Sequence, residues 1–230
     1  MTLRFRVSLY SILISPYTLL MTDTVTSIAS IFILIMSVVV HEVSHGYAAL
    51  WFGDRTAELA GRLTLNPLRH IDPIGSIIVP GILIISGSPF PFGWARPVPY
   101  NENNLTNKRW GTLAVASAGI ISNFAIALVF GLFLRVAMWL QFANESFIYI
   151  VSIIILANIG LGFFNLLPVP PLDGSKIFFS ILPQKYRNIR EVLENNGFVL
   201  VFILVIVLWK YDFISPLMSG LYTILTGIRL

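Results

Sequence analysis

The chain has 230 residues, of which 56% are apolar and only 11% charged, with a mean hydropathy of +0.82. A water-exposed surface needs about a quarter of its residues charged, so this composition excludes a soluble globule and implies a chain solvated largely by lipid. The balance of 15 Lys and Arg against 11 Asp and Glu gives +4, placed mostly in short stretches between apolar runs, which fits membrane topology and not nucleic-acid binding.

Apolar runs lie near residues 7–22, 25–52, 74–86, 111–140, 146–172, 197–209 and 213–228. Six of them read as membrane-spanning helices. The run at 7–22 follows Arg4 and Arg6 like a signal sequence but lacks a small-x-small cleavage site, so it reads as an anchor. The run at 74–86 is too short for ~30 Å of hydrocarbon, contains Pro80-Gly81 and stops at Gly87-Ser88-Pro89, so it reads as re-entrant or interfacial. In the stretch Pro89–Arg109 the residues preceding Pro97 and Pro99 are pushed toward extended geometry, which predicts a strand or short hairpin over Trp94–Tyr100. The expected fold is an all-α polytopic membrane protein forming one domain over 1–230. Its motif-bearing core covers about 25–180, and its C-terminal helices cover about 197–228.

His41-Glu42-Val43-Ser44-His45 closes the apolar run IFILIMSVVV. Four residues apart on a helix, His41 and His45 are about 6 Å apart along the axis and about 40° apart around it, so one metal ion can bind both. Glu42 is turned away from ligation yet remains close enough to act as general base toward a water activated by the metal. Ionisable side chains inside an apolar run are costly and therefore functional by default. A proton relay in a transporter would use the same residue types but needs ionisable partners on several helices, of which this sequence has very few.

With no cysteine, disulfides, iron–sulfur clusters and thiol catalysis are excluded, and any metal must be held by His, Asp, Glu or Asn. A catalytic zinc takes three protein ligands and keeps one position for water, so a third ligand is required. His70 lies in a Pro-punctuated polar stretch and Glu58 on the segment leaving the helix. Asp173 follows the helix-breaking prolines of Asn165-Leu-Leu-Pro-Val-Pro-Pro-Leu-Asp173-Gly174, where freed backbone at membrane depth is tolerated beside a site. Asp173 is the favoured candidate, with His70 and Glu58 as alternatives. Hydrolysis also needs a donor for the developing oxyanion. Asn165 offers one, or else makes an interhelical hydrogen bond. Asn123 is a supporting residue, beside Ala114, Ala118 and Ser122, whose small-xxx-small spacing alone would explain close helix packing.

These motifs resemble the site-2 proteases, intramembrane zinc metalloproteases of peptidase family M50. HEVSH at 41–45 is similar to the family's zinc helix, NLLPVPPLDG at 165–174 to its NxxPxPxLDG motif, and SAGIISN at 117–123 to its AGPxxN segment, with Ile120 where the family usually has proline. GRLTLNPLRHIDP and GWARPVPYN resemble the compact bacterial and archaeal branch without PDZ or CBS domains. The resemblance implies one Zn2+ held by His41, His45 and Asp173, with Glu42 as general base and Asn165 helping to hold substrate or oxyanion. Substrates would be single-span membrane proteins or leftover signal peptides, with the lipid bilayer as surroundings, no nucleic-acid partner and an oligomeric state left open. A membrane protease must unwind its target, and an extended edge presenting Trp94, Arg96, Val98 and Tyr100 could pair with the unwound strand, unless it is a surface loop. The non-catalytic alternatives are an inactive homologue that only binds transmembrane segments and the relay transporter.

With 74–86 not spanning and the N-terminus inside, 13 of the 15 basic residues fall on the cytoplasmic side, against 7 if it spans. The expectation is therefore a membrane protein whose N-terminus and zinc site lie toward the cytoplasm, in a prokaryotic cell membrane as the resemblance to the bacterial and archaeal branch implies.

Overall fold

The computed structural model describes residues 24–87, 93–183 and 187–230, and among these the regular structure is entirely helical. The first apolar run with its Arg4 and Arg6, and part of the Pro89 loop, lie outside the described residues.

Among the described residues, three helices are long and apolar enough to cross a membrane: α1 (Thr24–Trp51), α4 (Lys108–Trp139) and α5 (Glu145–Leu166). Local chemistry explains their ends. α1 stops in a Schellman turn in which Gly53 adopts φ +96°, its N–H reaches the Leu50 carbonyl and the Asp54 N–H reaches the Ala49 carbonyl. α4 starts at Asn107, whose side chain accepts the Trp110 N–H, and ends in the same turn with Gln141 at φ 57°. The Asn144 side chain caps α5 through the Phe147 N–H, and Pro168 forbids its continuation.

α4 is central and packs against α1, α5, the short α6 (Asp173–Ile181) and α9 (Ile214–Thr226). Its buried stripe runs Gly111, Val115, Gly119, Asn123, Ala127, Gly131 at four-residue steps, which lets neighbours approach closely. The sequence reading placed this stripe on Ala114, Ala118 and Ser122, which are only half-buried, because small residues occupy both faces of α4 and composition cannot say which one is packed. A second apolar cluster of Leu134, Val151, Ile155, Ile159, Met218 and Tyr222 ties α4 and α5 to α9. Many large apolar side chains remain exposed, such as Ile28, Phe32, Ile121, Val129 and Phe202, a surface matched to lipid.

Several expected boundaries change. The 146–172 run ends as helix at Leu166, and Asp173 opens the separate helix α6 instead of closing α5, because three prolines in Pro168–Pro171 supply no N–H donors. After α6, α7 (Arg187–Asn195) is joined to α8 (Gly197–Tyr211) at a 72° bend. The short apolar run forms a π-turn at Pro73–Ile78 continuing into α3 (Val79–Ile85). At 1.5 Å per residue these 13 residues cover about 20 Å, short of the hydrocarbon thickness. One further four-residue helix, α2, covers Thr56–Leu59. Among the described residues three helices, or four counting the bent α7–α8 pair, are long enough to span. α9, with 13 residues, is too short by itself. Trp94–Tyr100 is irregular and forms no strand ladder among the described residues.

Candidate metal centre

Ser37, His41 and His45 fall at four-residue steps on the buried face of α1 that meets α4. The imidazoles of His41 and His45 meet edge to face with centroids 4.6 Å apart, and their Nε2 atoms are 3.0 Å apart. Asp173, at the first turn of α6, brings Oδ2 to 3.0 Å from His41 Nε2 and 3.1 Å from His45 Nε2. Gly174 makes this approach possible, since a Cβ there would lie 2.2 Å from the Leu166 carbonyl oxygen. Asp173 Oδ1 faces the Lys176 ammonium at 3.7 Å.

A chain of buried hydrogen bonds decides which imidazole nitrogens carry protons. Asn158 Nδ2 donates to the Ile154 carbonyl and to Ser37 Oγ, whose own hydroxyl donates to the Ile33 carbonyl. This orientation leaves Asn158 Oδ1 to accept from Asn123 Nδ2 at 2.9 Å, so Asn123 Oδ1 faces His41 Nδ1 at 2.6 Å as an acceptor. The network thereby assigns the proton to His41 Nδ1. His45 Nδ1 faces the Val115 carbonyl at 2.6 Å, which assigns its proton in the same way. Both Nε2 atoms then present lone pairs toward the carboxylate oxygen of Asp173. Three lone-pair donors about 3 Å apart repel one another unless a cation lies among them. Two ligands of a tetrahedral zinc with bonds of about 2.0–2.1 Å are about 3.3 Å apart, so the donor set fits that ion in type and spacing.

Gly119 forms the floor of the site. A Cβ there would lie 2.5 Å from His41 Cε1 and 2.6 Å from His45 Cε1 and Nε2, so only glycine lets both rings rest on α4.

Glu42 Oε2 accepts the Val98 N–H at 2.8 Å, and a carboxylate oxygen of Glu42 lies within 4.8 Å of a ring nitrogen of each histidine. His41, Glu42 and His45 thus also form a possible ligand trio. The tighter convergence of Asp173 Oδ2 on both Nε2 atoms, with Glu42 held by Val98, favours Asp173 as the third ligand. Val98 belongs to a strap anchored by alternate backbone groups: the Trp94 N–H donates to the Gly75 carbonyl, the Arg96 N–H to the His70 carbonyl, and Arg62 donates to the Arg96 carbonyl. The Trp94 ring covers Gly75 and meets Phe198 edge to face. The Tyr100 ring sits under the Lys176 ammonium at 5.4 Å. Burial, aided by the Glu102 carboxylate, pushes the Tyr100 hydroxyl up, so it stays neutral.

The remaining candidates separate. Asn165 Nδ2 donates to the Leu161 carbonyl of its own helix at 3.0 Å, and among the described residues no hydrogen bond links it to the histidines. His70 is buried with Nε2 on the Thr64 carbonyl, and Glu58 pairs with Arg55 at the surface. Sequence reasoning missed Ser37, Gly119 and Asn158. For Ser37 the signal was its position four residues before His41, and for Asn158 a lone amide in an otherwise apolar helix.

Comparison with known proteins agrees with this geometry. "Putative zinc metalloprotease YwhC" of Bacillus subtilis is 38% identical over 192 residues, covering 81% of this chain and 80% of its own length. The chain belongs to peptidase family M50. The profile of Peptidase family M50 matches residues 133–208, a stretch that contains Asn158, Asn165 and Asp173. "Putative zinc metalloprotease Rip2" of Mycolicibacterium smegmatis is 28% identical over 211 residues, covering 81% of this chain and 76% of its own. No solved structure gives a significant match. Membership in M50 and the metal-type donor set decide for a metalloendopeptidase of the site-2 protease family over a relay transporter or a non-catalytic binder.

Proposed function

We propose that this M50 metalloendopeptidase hydrolyses peptide bonds within or next to transmembrane segments, in single-span membrane proteins or leftover signal peptides. The convergence of His41 Nε2, His45 Nε2 and Asp173 Oδ2 within 3.1 Å, part-way along a membrane-length helix, carries this reading. α1 has 28 residues, about 42 Å, and His41 lies about 15 Å from its C-terminal end, so a centred ~30 Å hydrocarbon layer encloses it.

His41, His45 and Asp173 would hold zinc, which when bound polarises a water and the scissile carbonyl. Asn123 and the Val115 carbonyl orient the imidazoles, and the Lys176 ammonium faces the second oxygen of Asp173. Glu42, steadied by the Val98 N–H, takes the proton from the attacking water and delivers it to the leaving amine. Asn165 supplies an amide donor for the oxyanion after its Nδ2 leaves the Leu161 carbonyl. The strap side chains Trp94, Arg96, Val98 and Tyr100 form the substrate's approach. Its N–H groups at 94, 96 and 98 already have partners, and positions 97 and 99 are prolines, so the opposite edge offers mainly carbonyls to an unwound strand. Six spans, counting the N-terminal run, α8 and α9, with re-entrant 74–88 and the zinc site toward the cytoplasm, complete the reading.

The test is cleavage of a co-reconstituted single-span substrate together with zinc content. Glu42→Gln should retain about one zinc per chain and lose cleavage, while His41→Ala, His45→Ala and Asp173→Ala should lose zinc. Substantial cleavage by Glu42→Gln would refute the mechanism, and full zinc retention in Asp173→Ala would remove it as a ligand.

A further inference from the structure

Asn158 lies in the middle of α5 with no exposed surface, surrounded by Ile153–Ile155 and Ile159, where a carboxamide is costly. Its three hydrogen bonds run toward the metal centre or fix its own orientation. Nδ2 is held by the Ile154 carbonyl and Ser37 Oγ, and Oδ1 accepts from Asn123 at 2.9 Å. Two backbone carbonyls, which are obligate acceptors and cannot reverse their role, anchor this chain at Asn158: Ile154 directly, and Ile33 through the Ser37 hydroxyl. From Asn158 to the metal centre every group is a reversible amide or imidazole.

We infer that Asn158 is a positioning residue for zinc, holding His41 as the Nδ1–H tautomer through Asn123. This rests on the reading that His41 is a ligand. Without Asn158, the Asn123 amide can turn over and present Nδ2 to His41 Nδ1. That arrangement favours the tautomer with the proton on Nε2, whose lone pair is then lost to the metal. Asn158 hydrogen-bonds neither histidine, so its influence on the His41 tautomer passes through Asn123.

The experiment measures zinc affinity of the full chain in detergent by competition with a chelator of known affinity, for the wild type, Asn158→Ala, Asn123→Ala, the double variant and His41→Ala. Asn158→Ala should weaken zinc about 10–100-fold. The double variant should bind within about 2-fold of Asn123→Ala, because the relay is already broken. Asn158→Leu, which keeps apolar volume, should show the same loss and serves if the alanine variant does not fold. Wild-type zinc affinity in Asn158→Ala or Asn158→Leu, or losses that multiply in the double variant, would overturn the inference. Wild-type affinity in His41→Ala would instead overturn the ligand assignment beneath it.

Discussion

Gly119→Ala tests the geometry of the metal centre without altering any candidate ligand side chain. In a helix interior, alanine is favoured over glycine by about 0.8–1.0 kcal/mol, so α4 itself should gain stability. The added Cβ would sit 2.5 Å from His41 Cε1 and 2.6 Å from both Cε1 and Nε2 of His45. Carbon atoms in contact prefer about 3.5–4.0 Å, so both rings must retreat by roughly 1 Å. Metal–ligand distances tolerate only about ±0.2 Å, so the displaced rings no longer converge with Asp173. The expected result is zinc affinity weakened by at least about 100-fold, equivalent to about 2.8 kcal/mol, while in the metal-free protein the helix gain opposes a cost of about 1–3 kcal/mol for displacing two buried, hydrogen-bonded rings. Gly220→Ala in α9 is the control, since a Cβ there meets nothing within 4 Å, and it should leave zinc affinity unchanged. Chelator competition and thermal unfolding in detergent give both readouts. Zinc affinity of Gly119→Ala within about 3-fold of the wild type would refute the geometry of the centre.

Asn165→Ala should reduce turnover by about 100-fold with zinc and melting temperature intact if the amide serves the oxyanion; a proportionate loss of stability would instead mark a packing role. Asp54 is fully buried beside the end of α1, and although burial alone would raise its carboxyl, hydrogen bonds from the Thr56 hydroxyl and N–H, the Asn101 N–H and the Asn104 amide hold it below the usual carboxylate range. A folded value below the unfolded one means that its stabilisation is complete above about pH 4 and disappears as pH falls through the folded value. Asp54→Ala should therefore lower stability at pH 7 by about 2 kcal/mol and flatten the acid limb of a melting-temperature profile, and a wild-type acid limb in the variant would refute the role. Asn103→Cys and Asn188→Cys, in a chain without native cysteines, should resist an impermeant thiol reagent added outside intact cells, and labelling of either would invert the topology.

Composition and local periodicity are properties of contiguous residues, and what depends on them was legible in the sequence. The three membrane-length helices follow from uninterrupted apolar runs, and the placement of His41 and His45 on one face follows from their four-residue spacing. The prolines from Pro168 to Pro171 likewise forecast a break before Asp173, although not that Asp173 would begin a new helix, because the φ/ψ choices after a proline depend on what the chain packs against. The partners across the fold were not legible. Whether Asp173, His70 or Glu58 would meet the histidines depended on the turn after α5 and the close approach at Gly174. Whether Asn123 would pack or orient His41 depended on which of two small-residue faces of α4 turned toward α1. The engagement of Glu42 by the Val98 N–H depended on a strap 56 residues away in sequence. Hydrogen bonds act over about 3 Å, so a rotation of α4, a one-residue slip of α6 or a shift of the strap would each break its own contact without altering a single apolar run.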